Sequence, residues 1–160
     1  MATYVLKWAD AGGNGNVINP DCAGDLVVNR YVADLASTPL KGVTLAIGDI
    51  IDCGIIPAYT SVLDVIIDSD DLDSNGTPTL AFDVGTITGT PGDAVSARTC
   101  GAEFFSASDI AQAGGLSRMT LKTGLRVEPV AYDRSIGIKI TAAAATQATS
   151  GVVALNVLVK

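Results

Sequence analysis

Residues 135–142 read SIGIKITA, and large apolar side chains occupy every second position of this stretch. The same alternation recurs in residues 153–160 (VALNVLVK) and, in a shorter form, in residues 79–84 (TLAFDV). A period of two places one set of side chains in a core and the other in water, which is typical of a half-buried β-strand. These three segments predict an all-β protein.

Less regular strand candidates occupy much of the remaining sequence. They lie at residues 3–8, 26–33, 43–47, 49–56, 61–68, 118–122 and 125–132. The last two flank Thr123-Gly124 and predict a hairpin. Only residues 103–112 have a helical pattern, because Gly114-Gly115 follows and a glycine there closes a helix in the left-handed conformation. About ten short strands with frequent turn residues predict an antiparallel β-sandwich that contains one short helix.

The domain organisation follows from length and from one glycine-rich segment. The chain has 160 residues, near the usual size of one domain. Residues 9–25 are rich in Gly and Asn and indicate an extended arm after the first strand. We therefore expect an N-terminal strand and arm over residues 1–25 and a single β-sandwich domain over residues 26–160. Neither a signal-peptide pattern nor a long apolar run is visible, so we expect a protein made in the cytoplasm without a membrane partner.

Most catalytic chemistries lack the residues that they need. The chain has no histidine, which removes Ser-His-Asp triads, Cys-His dyads and histidine metal sites. The three cysteines, Cys22, Cys53 and Cys100, are too far apart for a zinc knuckle or a thiol redox motif, so we interpret them as core residues. The pairs Asp49/Asp52 and Asp64/Asp68 remain as candidates for acid–base catalysis, although aspartates at strand ends more often face solvent. We predict no enzyme, no catalytic residue and no cofactor.

Negative charge is concentrated in the middle of the chain. The net charge is −7, and residues 42–97 contain nine aspartates and neither lysine nor arginine. Such a segment repels phosphate, so we predict no nucleic-acid partner. Two interpretations of the segment remain open. It forms a solvated acidic face, or it forms a surface that steers a partner with a basic surface.

The segment Asp71–Asp83 contains part of a calcium-binding pattern. Asp71, Asp73, Asn75 and Gly76 match the first half of an EF-hand loop, in which oxygen ligands occupy alternate positions. Phe82 stands where the bidentate acid belongs, and the flanking segments have strand patterns. The alternative is a tight turn at Asn75-Gly76, because both residues tolerate positive φ. We predict no metal site.

A family resemblance covers residues 43–160. The order of strand, Pro-Ala, strand, acidic Asp-Leu-Asp turn, Thr-Pro-Thr-Leu strand and Asp-Val-Gly resembles small virion proteins of tailed bacteriophages. The segments that carry it are residues 48–58, 62–67, 70–80, 110–115 and 138–145. The resemblance includes no catalytic signature and no interface motif, so no family contact residue transfers to this chain.

The resemblance implies a jelly-roll β-sandwich that serves as a capsid decoration, or cement, protein. Such a protein binds the outer surface of the phage head and stabilises contacts between subunits of the major capsid protein, commonly as a homodimer or homotrimer. The expected partners are therefore the major capsid protein and further copies of the chain. The expected location is the outer surface of the virion. The alternative is a carbohydrate-binding β-sandwich module of the tail-fibre or adhesin type, since jelly rolls also occur in lectins.

Overall fold

The computed structural model describes residues 1–6, 26–95 and 97–160. Nine strands occur in these residues, together with two short 3₁₀ turns at Ile110–Gln112 and Gly124–Arg126. The strands are β1 (Thr3–Val5), β2 (Val27–Asp34), β3 (Ile50–Ile56), β4 (Val62–Ser69), β5 (Ala81–Ile87), β6 (Phe105–Ser108), β7 (Gly115–Arg118), β8 (Arg134–Ala142) and β9 (Val152–Val159). No helix in the described part of the chain is long and apolar enough to cross a membrane.

The strands form two sheets in the order β1-β3-β8-β5-β6 and β2-β9-β4-β7. Neighbouring strands are antiparallel except for β1 and β3, which run parallel. Without β1, each sheet has four strands, and the chain passes between the sheets at every connection after β2 except the one from β5 to β6. This is the eight-stranded jelly-roll arrangement. The all-β sandwich predicted from the alternating segments is confirmed.

The core lies between the two sheets and consists of the alternating side chains that the sequence pattern selected. Ile136, Ile138 and Ile140 of β8 are buried against Leu155 and Val157 of β9 and their neighbours. The sheets also meet at a specific contact between β2 and β3, where the Tyr31 ring lies directly over Gly54. The Tyr31 hydroxyl donates to the Ile55 carbonyl oxygen at 2.7 Å. Gly54 is therefore required for space, since a Cβ atom there would overlap the ring.

The connections gather at two opposite ends of the sandwich. The end that we call the β2–β3 end is formed by residues 35–49, 70–80, 109–114 and 143–151. The opposite end, the β3–β4 end, is formed by residues 57–61, 88–104 and 119–133. Hydrogen bonds join the connections within each end, for example Leu72 N to Ala111 O at 2.8 Å at the first and Tyr59 N to Val130 O at 2.7 Å at the second.

The structure corrects the helix predicted at residues 103–112. Phe105–Ser108 form strand β6, and only Ile110–Gln112 form a 3₁₀ turn. The Glu103 carboxylate accepts hydrogen bonds from the backbone nitrogen and the hydroxyl of Thr86, and Phe104 N donates to Val84 O. These contacts with β5 and its end fix the segment in an extended conformation, so tertiary pairing overrides the local pattern.

Three further strand and turn predictions are wrong. Residues 118–132 form no hairpin, because β7 ends at Arg118 and the Gly124–Arg126 turn follows. Residues 43–47 form no strand; the Gln147 side chain instead accepts from Leu45 N and donates to Val43 O. Asn75-Gly76 does not close a hairpin, since β4 and β5 lie in different sheets and neither residue has a positive φ.

The N-terminal prediction is tested in part. Residues 3–5 form β1, Leu6 is buried in the core and Tyr4 packs against it. Most of the predicted arm, residues 7–25, and with it Trp8 and Cys22, lies outside the described residues. The division into residues 1–25 and 26–160 stays a prediction.

Candidate functional site

One of the candidate catalytic carboxylates, Asp52, is buried in an ion pair. Asp52 lies on the outer face of the β3 sheet, where the β5–β6 connection covers it, and Arg98 of that connection places its NH1 atom 2.5 Å from Asp52 Oδ2. Both side chains are almost fully buried, and Ser135 Oγ donates to the same Oδ2 atom at 3.0 Å. Burial raises the pKa of the Asp52 carboxyl, and the Arg98 guanidinium opposes part of that rise.

Arg98 also fixes the connection that carries it. Its Nε atom donates to Thr88 O, NH1 donates to Asp93 O, both at 2.8 Å, and NH2 donates to Ser135 Oγ at 2.9 Å. Its hydrogen-bonding groups are thus engaged by the protein itself. The Asp52–Arg98 pair therefore holds the β5–β6 connection on the sheet, and it offers no accessible carboxylate for acid–base chemistry.

The other members of the two aspartate pairs are also structural. The Asp49 carboxylate accepts from Ala2 N at 2.6 Å and from Ala46 N at 3.0 Å, which ties the start of β1 to the start of β3. Asp64 is buried and pairs with Arg118 Nε at 2.5 Å, and Asp68 pairs with Arg30 at 2.8 Å. The Asp64–Arg118 pair joins the neighbouring strands β4 and β7, and the Asp68–Arg30 pair joins β4 to β2 across β9. Both pairs lie on the outer face of the β2 sheet. Each of the four carboxylates is thus engaged in holding strands or connections together.

Asp73, the central residue of the calcium-like segment, binds four backbone nitrogens. Its Oδ2 atom accepts from Thr79 N, Leu80 N and Ala145 N at 2.7–3.1 Å, and its Oδ1 atom accepts from Thr146 N at 2.8 Å. These hydrogen bonds hold the pKa of Asp73 well below its usual range, although burial opposes them. Both oxygens are already acceptors, so Asp73 joins the β4–β5 and β8–β9 connections and leaves the EF-hand-like pattern without its central ligand.

The nine aspartates of residues 42–97 do not form one acidic face. Three of them are in ion pairs on two different sheets. Asp49, Asp70, Asp71, Asp73 and Asp83 accept hydrogen bonds from backbone nitrogens. The charge concentration is thus a property of the sequence, and the fold distributes these residues over both ends and both sheets. Neither the solvated acidic face nor the acidic steering surface is present as a single surface.

The two described cysteines are unreactive core groups. Cys53 and Cys100 are buried and free. Burial raises the pKa of the Cys53 thiol well above its usual range and raises the pKa of Cys100 to about 12. This agrees with the interpretation of both residues as core side chains.

Sequence reasoning missed the exposed aromatic side chains at the β3–β4 end. Tyr59 and Tyr132 lie in the β3–β4 and β7–β8 connections, and both side chains are largely exposed. Leu63 and Leu125 are exposed at the same end. The sequence does carry one signal for this exposure. Both tyrosines closely follow a proline, Pro57 or Pro129, and proline marks loops, which lie on the surface. Large apolar side chains in water are typical of surfaces that contact other macromolecules.

The remaining candidate for a functional feature is the set of exposed apolar side chains. Within residues 1–6, 26–95 and 97–160, no group of three or more Cys, Asp and Glu side chains is arranged to hold a metal ion. The buried carboxylates serve as acceptors for strands and connections. Large apolar and aromatic side chains are exposed at both ends of the sandwich and on strands of the β2 sheet.

Three solved structures that resemble the chain are phage capsids. A chain in the capsid of Ralstonia phage GP4 has a TM-score of 0.86 and 36% identity, covering 99% of this chain and 98% of that one. A chain in the cyanophage Pam1 capsid asymmetric unit has a TM-score of 0.63 and 29% identity, over 84% and 83% of the two chains.

A chain in the acid-stable capsid of Helicobacter pylori bacteriophage KHP30 has a TM-score of 0.51 at 11% identity over 84% and 88% of the two chains, which supports the fold alone. No protein-family model matches the chain, and no curated protein matches it.

Proposed function

Because this chain belongs to the same family as a chain in the capsid of Ralstonia phage GP4, and so is a structural protein of the phage virion, we propose that it is a capsid decoration protein. In this role it binds the outer surface of the assembled head and stabilises contacts between subunits of the major capsid protein. The observation that carries the proposal is the match, over almost the whole chain, to a chain in a phage capsid.

Two features of the molecule support a role on the surface of a shell. The described residues form a sandwich whose core is filled by side chains of the same chain. Its exposed large apolar residues include four at the β3–β4 end, Tyr59, Leu63, Leu125 and Tyr132, which fits limited contact with a preformed surface. Binding only to the assembled lattice stabilises the assembled state by mass action.

Co-sedimentation with capsids that lack the protein tests this function. Purified protein is mixed with such capsids before and after their expansion, and the bound amount is measured against the concentration of the protein. A decoration protein binds saturably, at an integer ratio to capsid subunits, and prefers the expanded shell. Absence of binding to both forms contradicts the proposal.

The carbohydrate-binding alternative has one observation in its favour, the two exposed tyrosines at the β3–β4 end. Aromatic rings of this kind stack on sugars in many binding modules, and jelly rolls occur among lectins. Glycan arrays with and without calcium distinguish it from the decoration role. Glycan binding together with no binding to capsids is the result that favours the alternative.

A further inference from the structure

We call the four exposed side chains Tyr59, Leu63, Leu125 and Tyr132, which all lie at the β3–β4 end, the tyrosine patch. Tyr59 is 76% exposed and Tyr132 is 65% exposed, while Tyr31 and all three phenylalanines are buried. The two tyrosines therefore stand apart from the other described aromatic residues. Tyrosine is enriched among the residues that dominate binding energy at protein interfaces.

The fold holds both tyrosine-bearing segments in fixed relative positions. Tyr59 N donates to Val130 O at 2.7 Å, and Ala58 N donates to Asp133 Oδ1 at 2.8 Å. These bonds join the β3–β4 connection to the β7–β8 connection on both sides of Tyr132. Side chains on segments that are already ordered lose less conformational freedom on binding, so the patch is pre-organised.

The backbone of Tyr59 is strained for its residue type. Its φ angle is 61°, in the left-handed region that bulky residues rarely adopt. A glycine or an asparagine fits this conformation better than a tyrosine does. Because the ring is also exposed, neither burial nor backbone geometry explains a tyrosine here. A strained residue with an exposed side chain is typical of a functional position.

Charge distinguishes this end from the opposite one. The connections of the β2–β3 end contain one lysine and five aspartates; Asp49 and Asp73 are buried, so the exposed Lys41, Asp70, Asp71 and Asp109 leave a net surface charge of −2. The connections of the β3–β4 end together with Lys160 contain four basic and four acidic residues, a net charge of zero. Three of these basic residues, Lys122, Arg126 and Lys160, are exposed, and so are three of the acidic ones, Asp93, Glu128 and Asp133. Lys160 is joined to the patch through backbone hydrogen bonds with Ser61.

From these observations we infer that the tyrosine patch is the surface by which the protein docks on the capsid shell. The inference rests on the proposed decoration role and names the part of the molecule that performs it. The fitting partner surface is a capsid-protein surface with apolar pockets for the two rings. Acceptor oxygens at the rim of those pockets match the tyrosine hydroxyls, and a rim that carries both signs of charge matches the three exposed cations and three exposed acids of this end. The β2–β3 end then points away from the shell.

Single substitutions separate binding from folding at this patch. Tyr59→Asn removes the ring and relieves the backbone strain, and Tyr132→Ala removes the second ring. The control is Ile47→Asn, which changes an exposed aliphatic residue of the β2–β3 end. Ile47 precedes β3 and Tyr59 follows it, so the seven residues of that strand separate the two sites by about 23 Å.

The expected result combines two readouts, the melting temperature and the dissociation constant for expanded capsids that lack the protein. Tyr59→Asn leaves the melting temperature equal to that of the wild type or raises it by a few degrees, and it weakens capsid binding by about thirtyfold or more. Tyr132→Ala weakens binding in the same range, and Ile47→Asn changes it by less than about threefold.

Several results overturn the inference while leaving the proposed function intact. In the first, the wild type binds capsids and both tyrosine substitutions leave that binding unchanged. In the second, a tyrosine variant binds more weakly only because its melting temperature is lower. In the third, Ile47→Asn weakens capsid binding more than the two tyrosine substitutions do. If the wild-type protein itself fails to bind capsids, the proposed function fails instead. Specific binding of a glycan by the wild type that Tyr59→Asn abolishes also contradicts the inference, because it assigns the patch to a carbohydrate.

Discussion

Removal of the Arg98 guanidinium is the most informative test of how the fold is held together. In the variant Arg98→Met, Asp52 stays buried and keeps only the hydrogen bonds from Ser135 Oγ and Gly92 N. Removing one partner of a buried ion pair costs about 3–5 kcal/mol, because the other charge is left uncompensated. For a domain of this size, that loss lowers the melting temperature by about 6–20 °C.

The double variant Asp52→Asn/Arg98→Met shows whether the cost comes from the unpaired charge. Replacing both members of a buried pair by neutral residues is often close to neutral, so we expect the double variant to recover at least half of the lost stability. The assay is urea denaturation at pH 7. Arg30→Met is the matched control, since the Arg30–Asp68 pair is about half exposed and its loss costs about 1 kcal/mol or less.

The pH dependence of Arg98→Met has a defined sign. Burial already raises the pKa of Asp52, and the loss of the guanidinium raises it further. A protonated carboxyl carries no buried charge, so the deficit of Arg98→Met relative to the wild type is smaller at pH 4 than at pH 7. The reasoning is refuted if Arg98→Met loses less than about 1 kcal/mol, or if the double variant is as unstable as the single one.

Two further predictions concern single side chains. Because four backbone nitrogens lower the pKa of Asp73, its stabilising contribution is present above its usual pKa and is lost as the pH falls through the lowered value. Asp73→Asn is therefore less stable than the wild type at pH 7, and its stability falls less on acidification. The prediction is contradicted if plots of melting temperature against pH, from pH 7 to pH 2, run parallel for the two proteins. Gly54→Ala destabilises the protein by about 1–3 kcal/mol or more because its Cβ overlaps the Tyr31 ring. Gly76 has open space around it and no positive φ, so we expect Gly76→Ala to stabilise the protein by about 0.4–1 kcal/mol. Equal denaturation midpoints for the Gly54→Ala and Gly76→Ala variants would refute the packing argument.

The sequence predicts the regular part of the fold well because its signal is local. The alternation in residues 135–142 and 153–160 corresponds to β8 and β9, which are central strands of the two sheets. Each of these strands has one face in the core, so every second side chain must be apolar, and this produces the period of two in the sequence. β9 lies between β2 and β4, and the pattern there predicts the strand to within a residue or two.

The errors occur where distant residues decide the local structure. Phe104 and Phe105 resemble the start of a helix, but hydrogen bonds to β5, some twenty positions earlier, make the segment extended. Asn75-Gly76 resembles a hairpin turn, but the strands on its two sides belong to different sheets. In each case the decisive contact joins residues whose relation is invisible to a short window of sequence.

The interpretation of the aspartates as one acidic surface fails for a similar reason. Nine aspartates in 56 residues suggest a single acidic surface, yet their partners come from β2, β7, the β5–β6 connection and the β8–β9 connection. Arg98 and Arg118 lie outside the acidic segment and compensate two of its charges. The exposure of Tyr59 and Tyr132 likewise depends on how the connections pack at one end, which no periodic pattern encodes.

The most direct test of the decoration role compares two populations of phage particles by cryo-electron microscopy. One population carries the protein and the other lacks it, and the two density maps are subtracted. The decoration role predicts difference density with the size and shape of the jelly-roll sandwich on the outer surface of the shell, in contact with subunits of the major capsid protein. Difference density inside the shell or within its continuous wall, or intact particles with no difference at all, contradicts it.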